Sequence, residues 1–300
     1  MAKDSAPVIE THQLTKVYSG FMRPDVLAVD ELDLTVGRGE VFGLLGPNGS
    51  GKTTTTKLLL GLIFPTSGSA TVLGKPAGDI AVKARIGFLP EESYLYRFLN
   101  AEETLDFYGR IFGLDRAVRT RRIDELIELV GLQDARRRAL RGYSKGMSRR
   151  IGLAQALIND PELIFLDEPT SGLDPIGRLE VKKLITRLKG LGKTVMLCTH
   201  LLPDVQDVCD RIAILHNGRL VQQGSLDELL MMKNRTQLTV DDLTESEQEK
   251  LTALLADMGH GRPELIHPYD TLSSLFLRII ESERDRERAE DRREEHVAER

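Results

Sequence analysis

The sequence predicts an α/β fold with a mainly parallel sheet, an antiparallel β subdomain at the N-terminus, an inserted α-helical subdomain and a small C-terminal α+β extension. Three observations predict it. Residues 8–14 and 26–36 alternate apolar and polar side chains. Short apolar runs then alternate with helical patterns at 41–60 and again at 163–209. Between 101 and 158 the apolar period is helical throughout.

Taken in order, residues 8–14 and 26–36 read as strands, joined through a turn-prone stretch at 19–25. Residues 41–45 (VFGLL) are almost wholly apolar, as expected of a strand buried on both faces. A glycine-rich turn and a helix over about 52–60 follow, then strands at 70–73 and 85–89. In the helical block Leu105, Tyr108, Ile111 and Phe112, and then Ile123, Leu126, Ile127 and Val130, fall on helix faces. A strand at 163–166, a helix at 176–189, a strand at 194–198 and a helix at 201–209 complete the alternation. Asn217-Gly218 between 211–215 and 219–222 is a strong hairpin signal. The expected division is 1–232 as one domain, with its helical subdomain at about 92–160, and 233–300 as an accessory region. The latter holds a strand candidate at 237–240, a helix at about 245–258 and a charged helical or disordered tail.

Lys+Arg number 41 against 46 Asp+Glu, a net charge of −5 that argues against a general nucleic-acid binder. Cys198 and Cys209 have no metal-ligand spacing and read as small buried hydrophobes of a reducing compartment. Neither a secretory signal nor an apolar run of about 18 residues is present, so a membrane role would run through a partner chain.

The sharpest chemical signal is GPNGSGKT at 46–53, which fits G-x-x-x-x-G-K-[ST] between a buried strand and a helix. Gly46, Pro47, Asn48, Gly49, Ser50 and Gly51 form a loop whose N–H groups converge on phosphate oxygens, and the helix that begins with Lys52, Thr53 and Thr54 adds a favourable field. Lys52 is placed to neutralise β/γ-phosphate charge and the Thr53 hydroxyl to ligate Mg²⁺. The expected core is therefore that of a P-loop NTPase. In LIFLDEPTSGLD (163–174) a strand ends on two carboxylates: Asp167 near the metal, and Glu168 placed to orient or deprotonate an attacking water. His200 follows a neighbouring strand and faces the same crevice, where a γ-phosphate contact is expected. YSKGMSRR (143–150) opens an apolar helix with a glycine and two arginines, Arg149 and Arg150. By itself it is either an ordinary helix start or a phosphate-binding surface.

The order GPNGSGKT, YSKGM, LIFLDEPTSGLD, THLLPDVQDVCDRIAIL resembles the nucleotide-binding subunit of an ATP-binding cassette (ABC) transporter over about 8–230. The resemblance implies ATP and Mg²⁺, and ATPase chemistry with Glu168, His200 and Lys52 as the catalytic set. It makes Tyr18 the aromatic that stacks on adenine and Asp174 part of a loop that reaches across a dimer. It also sets YSKGM where the family carries Leu-Ser-Gly-Gly-Gln, so that Ser144 and Gly146 meet the γ-phosphate of ATP held by the opposite subunit. Tyr143, Lys145 and Met147 depart from that pattern. Glu91 stands where the family usually has a Mg²⁺-sensing glutamine. Together LPEE and YSKGM resemble the ABC-2-like export branch.

The implied protein is a cytoplasmic ATPase subunit held at the membrane's cytoplasmic face by an integral permease. It pairs with a second nucleotide-binding subunit and is not expected to bind nucleic acid. A non-transport ATPase of the same type, for instance in cluster assembly, is the alternative. A binding-only regulator is disfavoured because Lys52, Asp167, Glu168 and His200 are all present.

Overall fold

The computed structural model describes residues 6–20, 23–231, 236, 238, 240–261 and 263–265. The chain divides into two compact units, Met1–Leu230 and Met231–Arg300.

The first unit contains two sheets. β1 (Ile9–Gly20), β2 (Arg23–Leu32), β3 (Thr35–Val36), β5 (Ser67–Val72) and β6 (Lys75–Pro76) make an antiparallel sheet. The stretch at 19–25, expected as a turn, is instead largely strand: Gly20 pairs with Arg23, so β1 and β2 reach almost to the hairpin tip. Residues 21 and 22 lie outside the described residues. Ladder hydrogen bonds here outweigh the turn preference of Ser19, Gly20, Pro24 and Asp25.

The second sheet has the order β11-β10-β4-β9-β8-β7. β4 (Val41–Leu45), β7 (Ile86–Leu89), β8 (Leu163–Asp167), β9 (Thr194–Thr199) and β10 (Arg211–His216) are parallel. β11 (Arg219–Ser225) closes one edge as the antiparallel arm of the Asn217-Gly218 hairpin. Every residue of β4, β8 and β9 is buried, as their apolar runs require. Alternate residues feed opposite cores. Val41, Leu45, Ile164, Leu166, Val195 and Leu197 pack on one face. Phe42, Leu44, Leu163, Phe165, Met196 and Cys198 pack on the other, with the antiparallel sheet. Phe42 and Phe165 are fully buried, each contributing about 2–3 kcal/mol of apolar transfer.

Helix α1 (Lys52–Leu59) follows β4, and the short α2 (Ile80–Lys83) precedes β7. The helical block consists of α3 (Ala101–Ile111), α4 (Arg116–Leu129) and α5 (Lys145–Ala156), with two 3₁₀ turns between α4 and α5. α3 begins in a capping box between Asn100 and Glu103, and Leu105, Ile123, Leu126, Ile127, Ile151 and Leu153 bury the block's shared core. α6 (Pro175–Gly190), α7 (Leu202–Val208) and α8 (Leu226–Leu230) complete the unit.

In the second unit α9 (Glu245–Asp257) forms where the pattern at 245–258 predicts a helix, and Glu247 caps its start by accepting from Thr244 N (2.9 Å) and Thr244 Oγ1 (2.6 Å). Of the strand candidate at 237–240, Leu238 and Val240 are in no strand, and 237 and 239 lie outside the described residues. So does the charged tail.

Candidate functional site

The carboxyl ends of β4, β8 and β9 are flush: Leu45 pairs with Thr199 and Asp167 with Cys198. The residues just beyond these pairs therefore lie together at one end of the sheet, the usual place for a ligand on a parallel sheet.

At the end of β4 the loop turns through Gly49 (φ +82) and Gly51 (φ +103), and Gly51 caps α1. A Cβ at Gly51 would fall 2.5 Å from the Ala28 carbonyl, so glycine is required there both for backbone angle and for space. The Asn217-Gly218 turn props the loop from behind, with Gly218 N donating to Ser50 O at 3.1 Å. Lys52 is 6% exposed, and its ammonium donates to the carbonyls of Gly46 (2.7 Å) and Pro47 (3.2 Å). One cation is thereby held within the loop by two of its own carbonyls, at the start of α1, where a helix terminus favours an anion.

At the end of β8, Thr53 Oγ1 lies 3.4 Å from Asp167 Oδ2. Burial and the nearby Glu168 and Glu91 charges push the Asp167 carboxyl above the usual range, opposed by Thr53 and Lys52. A hydroxyl beside a buried carboxylate offers oxygen donors of the kind Mg²⁺ takes.

Glu168 holds its backbone in the left-handed region (φ +47) and is 6% exposed. Its carboxylate accepts from Thr199 Oγ1 at 3.0 Å and from His200 N at 3.1 Å. The His200 ring Nδ1 is 2.7 Å from the same oxygen. Sheet register brings these groups together, since Glu168 follows the paired Asp167 and Thr199 follows Cys198. Fixed by two donors and a ring nitrogen, Glu168 is an oriented carboxylate with His200 at its solvent side.

Ser144 is the N-cap of α5, and its hydroxyl accepts from Met147 N at 3.1 Å. Tyr143 is tied into the helical block through its hydroxyl to the Ala135 carbonyl, 2.8 Å. Asp174 caps α6 by accepting from Gly177 N at 2.8 Å. Tyr18 sits on β1, 41% exposed, with Lys16 Nζ 5.3 Å from its ring centre.

A family model described as "ABC transporter" matches residues 29–171. An ABC transporter ATP-binding protein of Synechocystis sp., itself uncharacterized, is 46% identical over 95% of this chain and 83% of its own length. The chain belongs to the ABC transporter ATP-binding proteins. A second relative, the Nod factor export ATP-binding protein I of Cupriavidus pinatubonensis, is 40% identical over 74% of this chain and 68% of its own. Among solved structures, the dimeric post-hydrolysis state of the cassette MJ0796 bound to ADP and Pi superposes with a TM-score of 0.66 at 25% identity, covering 73% of this chain and 98% of that one. The first unit is thus an ABC ATPase cassette, and its chemistry is ATP hydrolysis.

Within this cassette the arginine pair of YSKGMSRR is not a phosphate-binding surface. Arg149 is buried and turned inward onto main-chain carbonyls, and Arg150 donates to Val130 O (2.9 Å) and Gly131 O (3.1 Å). One sequence signal was available: Arg149 shares a helix face with the buried Gly152, Leu153 and Ala156. Thr199 and Asp204 are also structural partners of the site that no motif reading singled out. The buried Asp204 accepts from Thr170 Oγ1 at 2.5 Å and pairs with Lys182 at 2.9 Å, fastening α7 to the loop beyond Glu168.

Proposed function

We propose that this cassette hydrolyses ATP in a two-subunit sandwich and thereby drives export through a separate integral membrane permease. The observation that carries the reading is Gly146. It lies in the first turn of α5 without a positive φ, and a Cβ there would meet only ordinary contacts at 3.9 and 4.0 Å. Among the described residues nothing requires glycine here, which weakens a helix, and the space it leaves open suits a close approach from a second subunit. With the Ser144 cap beside it, the γ-phosphate of ATP held by a second subunit fits that description.

The P-loop 46–54 holds the triphosphate, with Lys52 set against β- and γ-phosphate charge and Tyr18 against adenine. Thr53, Asp167 and Glu91 hold Mg²⁺, which when bound would offset charge on the phosphate oxygens. Glu168 takes a proton from the attacking water as its oxygen bonds to the γ-phosphorus. The bridging bond to the β-phosphate breaks, and its electron pair leaves with ADP. His200 keeps Glu168 oriented and contacts the γ-phosphate. Asp174 lies in the loop that reaches the opposite subunit. Residues 1–232 are the nucleotide-binding domain and 233–300 an accessory region.

A further observation supports a membrane partner. Tyr94, Phe98 and Tyr96, beyond Glu91, and Phe107 on α3 leave aromatic surface exposed. Tyr96 meets Phe98 at a tilt (5.8 Å) and Phe107 edge to face (5.6 Å), a cluster that suits burial against a cytoplasmic loop of a permease. A relative named for Nod factor export supports the direction of transport.

Glu168→Gln is the test. It should abolish turnover yet retain dimers that form only with ATP, and the parent chain should co-purify from gently solubilised membranes with an integral membrane protein. Brisk hydrolysis by Glu168→Gln would overturn the catalytic assignment, and a chain that leaves the membranes alone would overturn the export reading.

A further inference from the structure

The parallel ladder between β7 and β8 ends at the pair Leu89–Leu166. Beyond it the main chains of Pro90 and Glu91 on one side, and of Asp167 and Glu168 on the other, still present carbonyls that need donors. One side chain supplies them. Arg149, 8% exposed, donates from Nη1 to Pro90 O (2.5 Å) and Glu91 O (2.9 Å), and from Nη2 to Asp167 O (2.5 Å) and Glu168 O (2.9 Å). Its Nε donates to Pro169 O at 3.0 Å. Every N–H of the guanidinium is used, each on a different carbonyl. Burial pushes its pKa down to about 10 against the pull of Asp167, Glu91 and Glu168, so it remains a cation at neutral pH. A lysine has its donors on a single nitrogen and cannot span the same acceptors.

The acceptors belong to the parts that matter for hydrolysis: the Glu91 loop, the metal-side Asp167, and Glu168 with its left-handed backbone. The donor belongs to α5, whose N-terminus is Ser144. We propose that Arg149 is a positioning residue that links the helix terminus at Ser144 and Gly146 to the Glu168 carboxylate and the Glu91 loop of the same chain. This rests on the reading of Glu168 as base and of Ser144 and Gly146 as contacts to a second subunit's ATP. A shift of α5 on meeting that nucleotide carries the guanidinium with it, and the guanidinium carries the carbonyls that set Glu168. Occupancy of one ATP site then reaches the chemistry of the other through one side chain.

The experiment compares full-length parent, Arg149→Lys, Arg149→Met and Glu168→Gln. Both Arg149 variants should keep KM for MgATP within about threefold while kcat falls about 100-fold, the loss expected from a small misplacement of a reacting group. A role confined to stability would lower the melting temperature and impair KM and kcat together, and that result overturns the proposal. So does a folded Arg149 variant with parental kcat. If neither variant folds, hydrogen exchange on Glu168→Gln decides: on adding MgATP, peptides covering 86–93 and 163–172 gain protection together, and protection of one without the other overturns the proposal. Glu168→Gln also separates the two layers. Its turning over at the parental rate would bring down the assignment of Glu168, whereas an inert Glu168→Gln beside an active Arg149→Met would bring down only the link through Arg149.

Discussion

Replacing Gly146 by alanine should make the isolated chain more stable and the enzyme worse. The new methyl would sit 3.9 Å from Ser144 Oγ and 4.0 Å from Gly177 Cα, which are ordinary contacts. No positive φ has to be surrendered. Alanine is about 0.5–1 kcal/mol better than glycine in a helix, with the lower end appropriate to a first turn. For a domain of this size that is a rise in Tm of roughly 1–4 °C. The same methyl would hold an approaching phosphate back from the N–H groups of the helix terminus, beyond the roughly 3 Å that a hydrogen bond needs. Hydrolysis should fall by about tenfold or more, the loss of one charge-assisted hydrogen bond. Scanning calorimetry gives the first quantity. Steady-state phosphate release, together with ATP-dependent dimerisation in the Glu168→Gln background, gives the second. A Gly146→Ala chain that melts earlier would refute the local account of the helix, and one with unchanged turnover would refute the close approach from outside.

Thr199→Val removes a buried donor to Glu168 and the acceptor used by Leu201 N at 3.0 Å. Urea denaturation should show a loss of about 2–4 kcal/mol, with Thr199→Ser recovering most of it. Glu162 is held down at about 2 by hydrogen bonds from Arg85 and then Arg38, below its ordinary 4.5. Because the folded pKa is the lower one, this contribution is full above pH 4.5 and is lost as pH falls towards 2. The pair is partly exposed, so about 1 kcal/mol is at stake after screening. Arg85→Gln should flatten the acid limb of a stability–pH curve by that amount. Burial pushes both the Cys198 and Cys209 thiols up to about 12. Neither should react with a disulfide reagent at about pH 8 until urea unfolds the chain, after which both should.

Residues whose role follows from backbone context were legible in the sequence. Gly51, Lys52 and Thr53 can be placed from a buried strand, a glycine turn and a helix start, and Asp167 and Glu168 from the end of an apolar run. The hairpin at Asn217 is equally local. What escaped depends on groups far apart in the chain. The helix face of Arg149 hints at burial, but its acceptors are carbonyls of Pro90, Glu91, Asp167, Glu168 and Pro169, which no side-chain pattern advertises. Thr199 looks like one more strand threonine until the pairing of β8 with β9 sets it against Glu168. The connection between β1 and β2 does fall within 19–25, but it is tighter than the local turn composition suggests, because the ladder extends to the pair Gly20–Arg23.

The flush ends of β4, β8 and β9 also limit how this chain can change length. Side chains along a strand alternate faces, so deleting one residue from β9 would turn Thr199 away from Glu168 and bring a neighbour of opposite orientation into its place. Added or missing residues can be absorbed at the opposite ends, for example in the turn at 191–193 between α6 and β9, where Gly192 already has a positive φ and open space around it. The sheet works as a gauge with one calibrated edge and one free edge. Variation in length among relatives should therefore gather at the free edge, while the count of residues from each strand to the crevice stays constant.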